Sequence, residues 1–175
     1  MLIVGENLRG LIVQENICDE QCYDNTSISL SLGPQVIKLK PSSSFHTLEY
    51  GETIPAECMI HDLISDSGLI INPHECVIAS SHETIKMPVG YFGLLQTKGS
   101  LARLMVSLHF SDGQIDPGYR GKVTFEIMNA SEFAIRIRKR QVVGNLYIFK
   151  TSTDSAPPYD GKYQNSTGPT VSRPI

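Results

Sequence analysis

In the stretch Thr26-Ser-Ile-Ser-Leu-Ser-Leu32, polar and apolar side chains alternate until the chain meets Gly33-Pro34. A period of two puts every second side chain on one face of an extended backbone. The stretch therefore predicts a half-buried strand ended by a glycine-proline turn. Val36-Ile-Lys-Leu-Lys40 repeats the alternation and stops at Pro41. Residues 75–80 and 91–96 read as further short strands, linked through Met87-Pro88-Val89-Gly90, and 122–128, 133–138 and 142–149 complete the set. Many short strands separated by turn signals predict a mainly β protein, a sandwich, jelly roll or barrel. Helix is scarce. Residues 100–105 suit one short helix with Ser100 as its N-cap, and the first residues, to Val13, predict another turn or strand.

A chain of 175 residues is about one domain, long enough to bury a sizeable core. The formal net charge of -3 argues against a protein whose main work is gripping nucleic acid, yet leaves room for a local basic phosphate site. Cys18, Cys22, Cys58 and Cys76 are scattered, and the one close pair, Cys18-Asp-Glu-Gln-Cys22, has no histidines at zinc-site spacing. Free thiols in a reducing cytosol are expected. Met1-Leu-Ile-Val-Gly-Glu lacks the basic and apolar regions of a signal peptide, and no apolar run approaches the roughly 20 residues of a membrane span. The expectation is a soluble cytoplasmic protein with neither a membrane nor a nucleic acid as partner. After Thr151 the sequence turns to Ser-Thr-Asp-Ser-Ala-Pro-Pro, a linker of low hydrophobicity before a polar, glycine-punctuated tail. One domain over 1–175 is expected, with a β core over 1–150 and the linker and tail over 151–175.

Three places carry chemistry. In Lys98-Gly99-Ser100-Leu101-Ala102-Arg103, a strand would pass through a glycine into a short helix, exposing amides where negative charge is favoured. Lys98 and Arg103 add cationic reach, although glycine-serine turns are common without any ligand. Asp116 precedes Pro117-Gly118, a turn signal. A carboxylate there can take a sugar hydroxyl or orient a water, and Tyr119 can stack on a sugar ring with no room for a 2'-hydroxyl. The same two residues also suit a capped turn with a packed tyrosine. In Val123-Thr-Phe-Glu-Ile-Met128, Val123 and Phe125 share one face while Thr124, Glu126 and Met128 share the other. A semi-buried Glu126 would hold its proton more tightly and serve as a proton shuttle, whereas a solvent-facing one would do neither. Arg136 and Arg138, with Lys139-Arg140 in the next turn, suit a solvated hairpin better than a nucleic-acid patch.

Four segments in order resemble the dCTP deaminase family, relatives of the dUTP pyrophosphatases. Thr26-Ser-Ile-Ser-Leu-Ser-Leu-Gly33 is similar to its early alternating strand, and Ser100-Leu-Ala-Arg103 through His109 to its phosphate-loop segment. Gln114-Ile-Asp-Pro-Gly-Tyr119, with Glu126 and Asn129 downstream, is similar to its sugar and catalytic motif. Gly161-Lys-Tyr-Gln164, Gly168-Pro-Thr170 and Ser172-Arg173 look like its C-terminal lid. The resemblance implies a distorted jelly roll or β-barrel of the dUTPase-like type with one or two short helices. It also implies a homotrimer with active sites between subunits, and a hydrolase that deaminates dCTP to dUTP and ammonia without zinc. The zinc deaminase signature, H-x-E with P-C-x-x-C, is absent from the sequence.

Carried over by position, Glu126 is the expected general base and Arg103 places and polarises the water. Asp116 holds the 3'-hydroxyl under Tyr119, and backbone groups near Thr124 and Phe125 read the base. The segment Lys98, Gly99, Ser100, Leu101, Ala102 and Arg103, with the tail residues Tyr159, Lys162 and Ser166, completes the substrate site. Mg2+ is expected to arrive bound to the substrate's triphosphate. The chain departs from the family at three points: Lys98-Gly99 where arginine-serine is usual, Asp112 where a small residue is usual, and Ser166 where glutamine is usual. The missing serine belongs to the family's catalytic group. Two further readings stay open, a dUTP pyrophosphatase or bifunctional enzyme giving dUMP, and a non-catalytic nucleotide-binding homologue.

Overall fold

A computed structural model describes residues 1–155 and 157–175. The chain forms α1 (Gly5–Glu15), β1 (Tyr23–Asp24), β2 (Ser27–Leu39), β3 (Met59–Leu63), β4 (Leu69–Ile71), β5 (Cys76–Lys86) and β6 (Tyr91–Thr97). There follow α2 (Gly99–Ala102), β7 (Val106–Ser107), β8 (Gln114–Ile115), β9 (Arg120–Asn129), β10 (Ile135–Ile137) and β11 (Val142–Lys150). Nine strands make one curled antiparallel sheet in the order β7-β9-β5-β2-β11-β6-β8, with β1 and β3 also paired to β2. β4 and β10 pair separately. The expected mainly β, dUTPase-like jelly roll with two short helices is the fold observed. Its core is mostly aliphatic, built from side chains such as Ile28, Leu30, Val77, Ile127 and Leu146 around the aromatic ring of Phe125. Among the described residues no helix is long and apolar enough to cross a membrane.

The first correction is α1, which replaces the turn or strand expected before Val13. Leu8, Leu11 and Ile12 are its buried side chains, at helical spacing. That stripe is too brief to declare its period in the sequence. Val4 at the N-cap position also offers no side-chain bond, so the polar start signal is missing. Asn16 ends the helix in the left-handed region, with φ 51°.

The second correction is that 26–32 and 36–40 belong to a single strand, β2. Gly33-Pro34 is a corner within it, not a turn. Before the corner β2 pairs with β11 and beyond it with β3, while β5 pairs with it on both sides, with a register shift between Leu32 and Val36. A Cβ on Gly33 would lie 2.8 Å from the Ser80 carbonyl oxygen and 2.9 Å from that of Ser81, so the close approach requires glycine. Pro34 lacks an N–H, but its carbonyl accepts from Ile64 N at 2.8 Å. The serines of the alternating stretch are not solvent-facing either. Ser27 and Ser31 are buried, and both the amide (2.9 Å) and the hydroxyl (2.5 Å) of Ser31 donate to the Glu83 carboxylate.

β3 was not legible because four of its five residues are exposed, so it carries no apolar period. α2 is shorter than expected and starts one residue earlier, with Lys98 in place of Ser100 at the N-cap position.

Candidate functional site

β9 supplies the centre of the site. Val123, Phe125 and Ile127 are buried in the core, while Thr124, Glu126 and Met128 are half-buried on the opposite face. Pairing with β5 sets Thr124 opposite Ser80 and Glu126 opposite Ile78. β5 runs beside β9 on one side and β7 pairs with its end at Met128 and Asn129, so the register with β5 fixes the outward position of Glu126. Burial raises its carboxyl pKa above the ordinary glutamate range. The charge of Asp112 acts in the same direction, and a long hydrogen bond from Phe110 N (3.4 Å to Oε2) opposes both.

A cleft of about 520 Å³ opens over this face. Asp112, Asp116, Tyr119, Thr124 and Glu126 line it from the core, and Tyr159, Tyr163, Thr170, Val171 and Ser172 line it from the tail. Asp116 is held by the expected turn. Tyr119 N donates to the Asp116 carbonyl at 3.1 Å, and Gly118 takes φ +84°, open to glycine at little cost. Tyr119 stands edge-on to Tyr159, with ring centroids 5.8 Å apart, and its hydroxyl donates to the Lys122 carbonyl at 2.7 Å. The ring is therefore positioned from both ends.

The tail is laid against the start of β9 by main-chain bonds. Asn165 N donates to the Arg120 carbonyl (2.7 Å) and Lys122 N to the Ser166 carbonyl (2.8 Å). Gln164 adds side-chain bonds to Arg120 N (2.7 Å) and to the carbonyls of Gly118 (3.0 Å) and Tyr159 (2.9 Å). Gly121, opposite Ser166, has no space for a Cβ, which would meet Ser166 N at 2.7 Å.

Within one chain the structure brings together Asp116, Tyr119, Thr124, Glu126 and Tyr159 of the residues singled out in the sequence. The Phe125 side chain is fully buried, which leaves only its backbone available to a ligand. Lys162 does not line the cleft: its ammonium donates to the carbonyls of Arg173 (2.8 Å) and Pro174 (3.2 Å). Ser166 is buried and donates to the Tyr163 carbonyl at 2.7 Å, in a separate groove beside Gln35.

Lys98, Gly99, Ser100, Leu101, Ala102 and Arg103 also lie outside the cleft. They leave the sheet near the Asn129 end of β9, where Ala130 N donates to the Met105 carbonyl at 2.9 Å. Ser100 and Leu101 instead border a small cavity beside β10. The sequence did not single out Tyr163 or Val171 as binding residues. The available signal was the run of hydroxyls and aromatics in a glycine-punctuated tail, which marks a segment but not which side chains turn inward. Among the described residues, no group of three Cys, His, Asp or Glu side chains is placed to hold a metal ion.

A family model described as dCTP deaminase-like matches residues 5–151. A protein of Beutenbergia cavernae named "dCTP deaminase, dUMP-forming" is 31% identical, the alignment covering 99% of this chain and 94% of that protein. A protein of the same name from Acidothermus cellulolyticus is 38% identical over 62% of this chain and 59% of its own length. Among solved structures, 2'-deoxycytidine 5'-triphosphate deaminase from Agrobacterium tumefaciens shares the fold, with a TM-score of 0.65 at 16% identity. That match covers 86% of this chain and 48% of the Agrobacterium chain, so this protein spans about half of that one's length. By the family match and the full-length relative, the chain belongs to the dCTP deaminase-like family.

Proposed function

We propose that this protein deaminates dCTP hydrolytically, with Glu126 as the general base. The observation that carries the reading is a half-buried glutamate with a raised pKa, in one cleft with Asp116 and Tyr119. Glu126 takes a proton from water as its oxygen bonds to C4 of the cytosine ring. That proton passes to N3 of the ring; the hydroxyl proton of the adduct then passes through Glu126 to the departing amine as the C4–N bond breaks and the 4-carbonyl forms, and ammonia leaves a uracil nucleotide. Asp116 accepts from the 3'-hydroxyl, Tyr119 covers the sugar, and backbone groups at Thr124 and Phe125 read the base edge.

The triphosphate needs cations, and the cleft of one chain is lined by carboxylates and hydroxyls. In this reading Lys98, Ser100 and Arg103 serve the cleft of a neighbouring copy in a homotrimer. Leu104, Met105, Phe110 and Phe133 are 50%, 63%, 58% and 75% exposed, apolar surface of the kind an interface between copies would cover. Gly99 supplies no hydroxyl, which leaves that of Ser100 to polarise the water with Arg103. Mg2+ enters as part of the substrate, bound to its phosphates.

A second reading is favoured by the names of the Beutenbergia and Acidothermus relatives, both dUMP-forming. Asp116 in the same cleft would then also orient a water toward the α-phosphorus, releasing pyrophosphate. One assay separates the readings: incubation with dCTP or dUTP and Mg2+, following ammonia and pyrophosphate independently. Ammonia from dCTP without pyrophosphate supports simple deamination, and both products support the dUMP-forming reading. Absence of ammonia refutes deamination.

A further inference from the structure

We propose that Asp112 is a specificity-determining residue, which selects cytosine over uracil or thymine by accepting a hydrogen bond from the ring's 4-amino group. The inference rests on the reading of the cleft as a pyrimidine deoxynucleotide site.

Asp112 sits in a short connection that is fixed on both sides. Phe110 N reaches Glu126 Oε2 at 3.4 Å, and the Gly113 carbonyl accepts from Leu95 N at 2.7 Å. Gly113 is itself buried, and a Cβ there would lie 2.7 Å from the Leu95 carbonyl oxygen, so the connection cannot shift easily at that point. Asp112 lines the cleft together with Glu126 and is near enough for its charge to act on the Glu126 carboxyl. Among the described residues, no hydrogen bond or ion pair engages the Asp112 carboxylate, so its oxygens are open to a ligand.

An ionised carboxylate only accepts hydrogen bonds. At position 4, cytosine presents an amino donor, whereas uracil and thymine present a carbonyl oxygen, another acceptor. A carboxylate beside that position attracts the first ring and repels the other two. Glu126 acts at C4 in the proposed reaction, so its neighbour Asp112 is on the side of the ring that carries the distinction. The same contact turns repulsive once the amino group has left. Asp112 thus favours release of the uracil product, and it makes uracil nucleotides offered from solution poor ligands.

The test uses the full chain and its Asp112→Asn and Asp112→Ala variants. Affinities for dTTP and for α,β-imido-dUTP, which resists phosphate hydrolysis, are measured by calorimetry with Mg2+, and kcat/KM for dCTP deamination is measured alongside. Both variants are expected to bind dTTP and α,β-imido-dUTP about tenfold more tightly than the parent, while kcat/KM for dCTP falls. Asp112→Asn should show the larger gain, because its amide can donate to the 4-carbonyl oxygen. Affinities for the two non-cytosine nucleotides within twofold of the parent's, or no binding of them by any of the three proteins, would overturn the proposal. Failure of the deaminase reading looks different. The parent would release no ammonia from dCTP, while the affinities of the three proteins would still decide the role of Asp112.

Discussion

The hydroxyls of Thr124 and Thr170 lie 2.9 Å apart and share a hydrogen bond, and Thr170 N donates to Thr124 Oγ1 at 3.2 Å. The tail is thereby fastened two residues from Glu126, on the strand that carries it. Thr124→Val keeps the side-chain shape and removes both bonds, worth about 1–2 kcal/mol together at a half-buried position. Trypsin should then cut after Lys162 about tenfold faster, and KM for the nucleotide should rise more than kcat falls. Unchanged cleavage would mean that the main-chain bonds at Asn165 and Ser166 hold the tail alone.

The pKa of Glu126 sets a second expectation. Burial first, and Asp112 in addition, raise it above the usual glutamate value, against the opposing bond from Phe110. A general base must be ionised, so deamination should fall on the acid side at a higher pH than for an exposed glutamate. Glu126→Gln should abolish ammonia release and leave nucleotide affinity within a few-fold. The sign for stability follows from linkage. A raised native pKa favours the folded state below the unfolded-state pKa, and that contribution is lost as pH rises through the native value. At neutral pH the ionised, half-buried carboxylate therefore costs stability, and Glu126→Gln should not lower Tm there. Calorimetry at neutral and mildly acidic pH should show any advantage of the variant shrinking as pH falls.

The parts of this molecule that sequence reveals are those governed by near neighbours. Alternation from Val123 to Met128 gave the facing of Glu126, and Asp116-Pro117-Gly118 gave its own turn, because both are decided within a few residues. Gly33-Pro34 misled because the same dipeptide serves a turn and a corner, and only the approach of Ser80 and Ser81 tells them apart. The inward tail residues were illegible for a related reason. Thr170 is placed by Thr124 and Gln164 by Arg120, each partner more than forty residues away. Lys98 and Arg103 were read as one site with Glu126, yet a single chain does not bring them to its cleft.

Asn129, at the end of β9, is fully buried and makes a dense set of bonds. The two hydrogens of its amide nitrogen are shared among the carbonyls of Ile71 (3.0 Å), Asn72 (3.0 Å) and Phe133 (2.7 Å), and its oxygen accepts from Ser131 N (3.0 Å) and Oγ (2.8 Å). This one side chain ties β4, β9 and the approach to β10 together. Asn129→Ala would strand several buried polar groups at once, at a cost of about 3 kcal/mol, which corresponds to a Tm lower by roughly 6–12 °C. Asn129→Asp should be no better, because a carboxylate has no hydrogen to donate to those carbonyls. A scanning calorimetry trace with Tm unchanged in the alanine variant would show that water replaces the amide there.

The division between the Glu126 cleft and the Arg103 segment makes a quantitative prediction about mixed oligomers. If each site takes Glu126 from one copy and Arg103 from the next, Glu126→Gln and Arg103→Ala should each be inactive alone. Co-expression in equal amounts creates some sites whose Glu126 comes from an Arg103→Ala subunit and whose Arg103 comes from a Glu126→Gln subunit. Random assembly makes about one site in four intact, so roughly a quarter of the parental ammonia release should return. A site contained in one chain behaves otherwise, since every subunit then carries a defect in its own cleft. Mixed assemblies that stay silent, with both chains confirmed in the same particle by tagged purification, would place Arg103 and Glu126 in one subunit's site and require the segment at 98–103 to move toward the cleft.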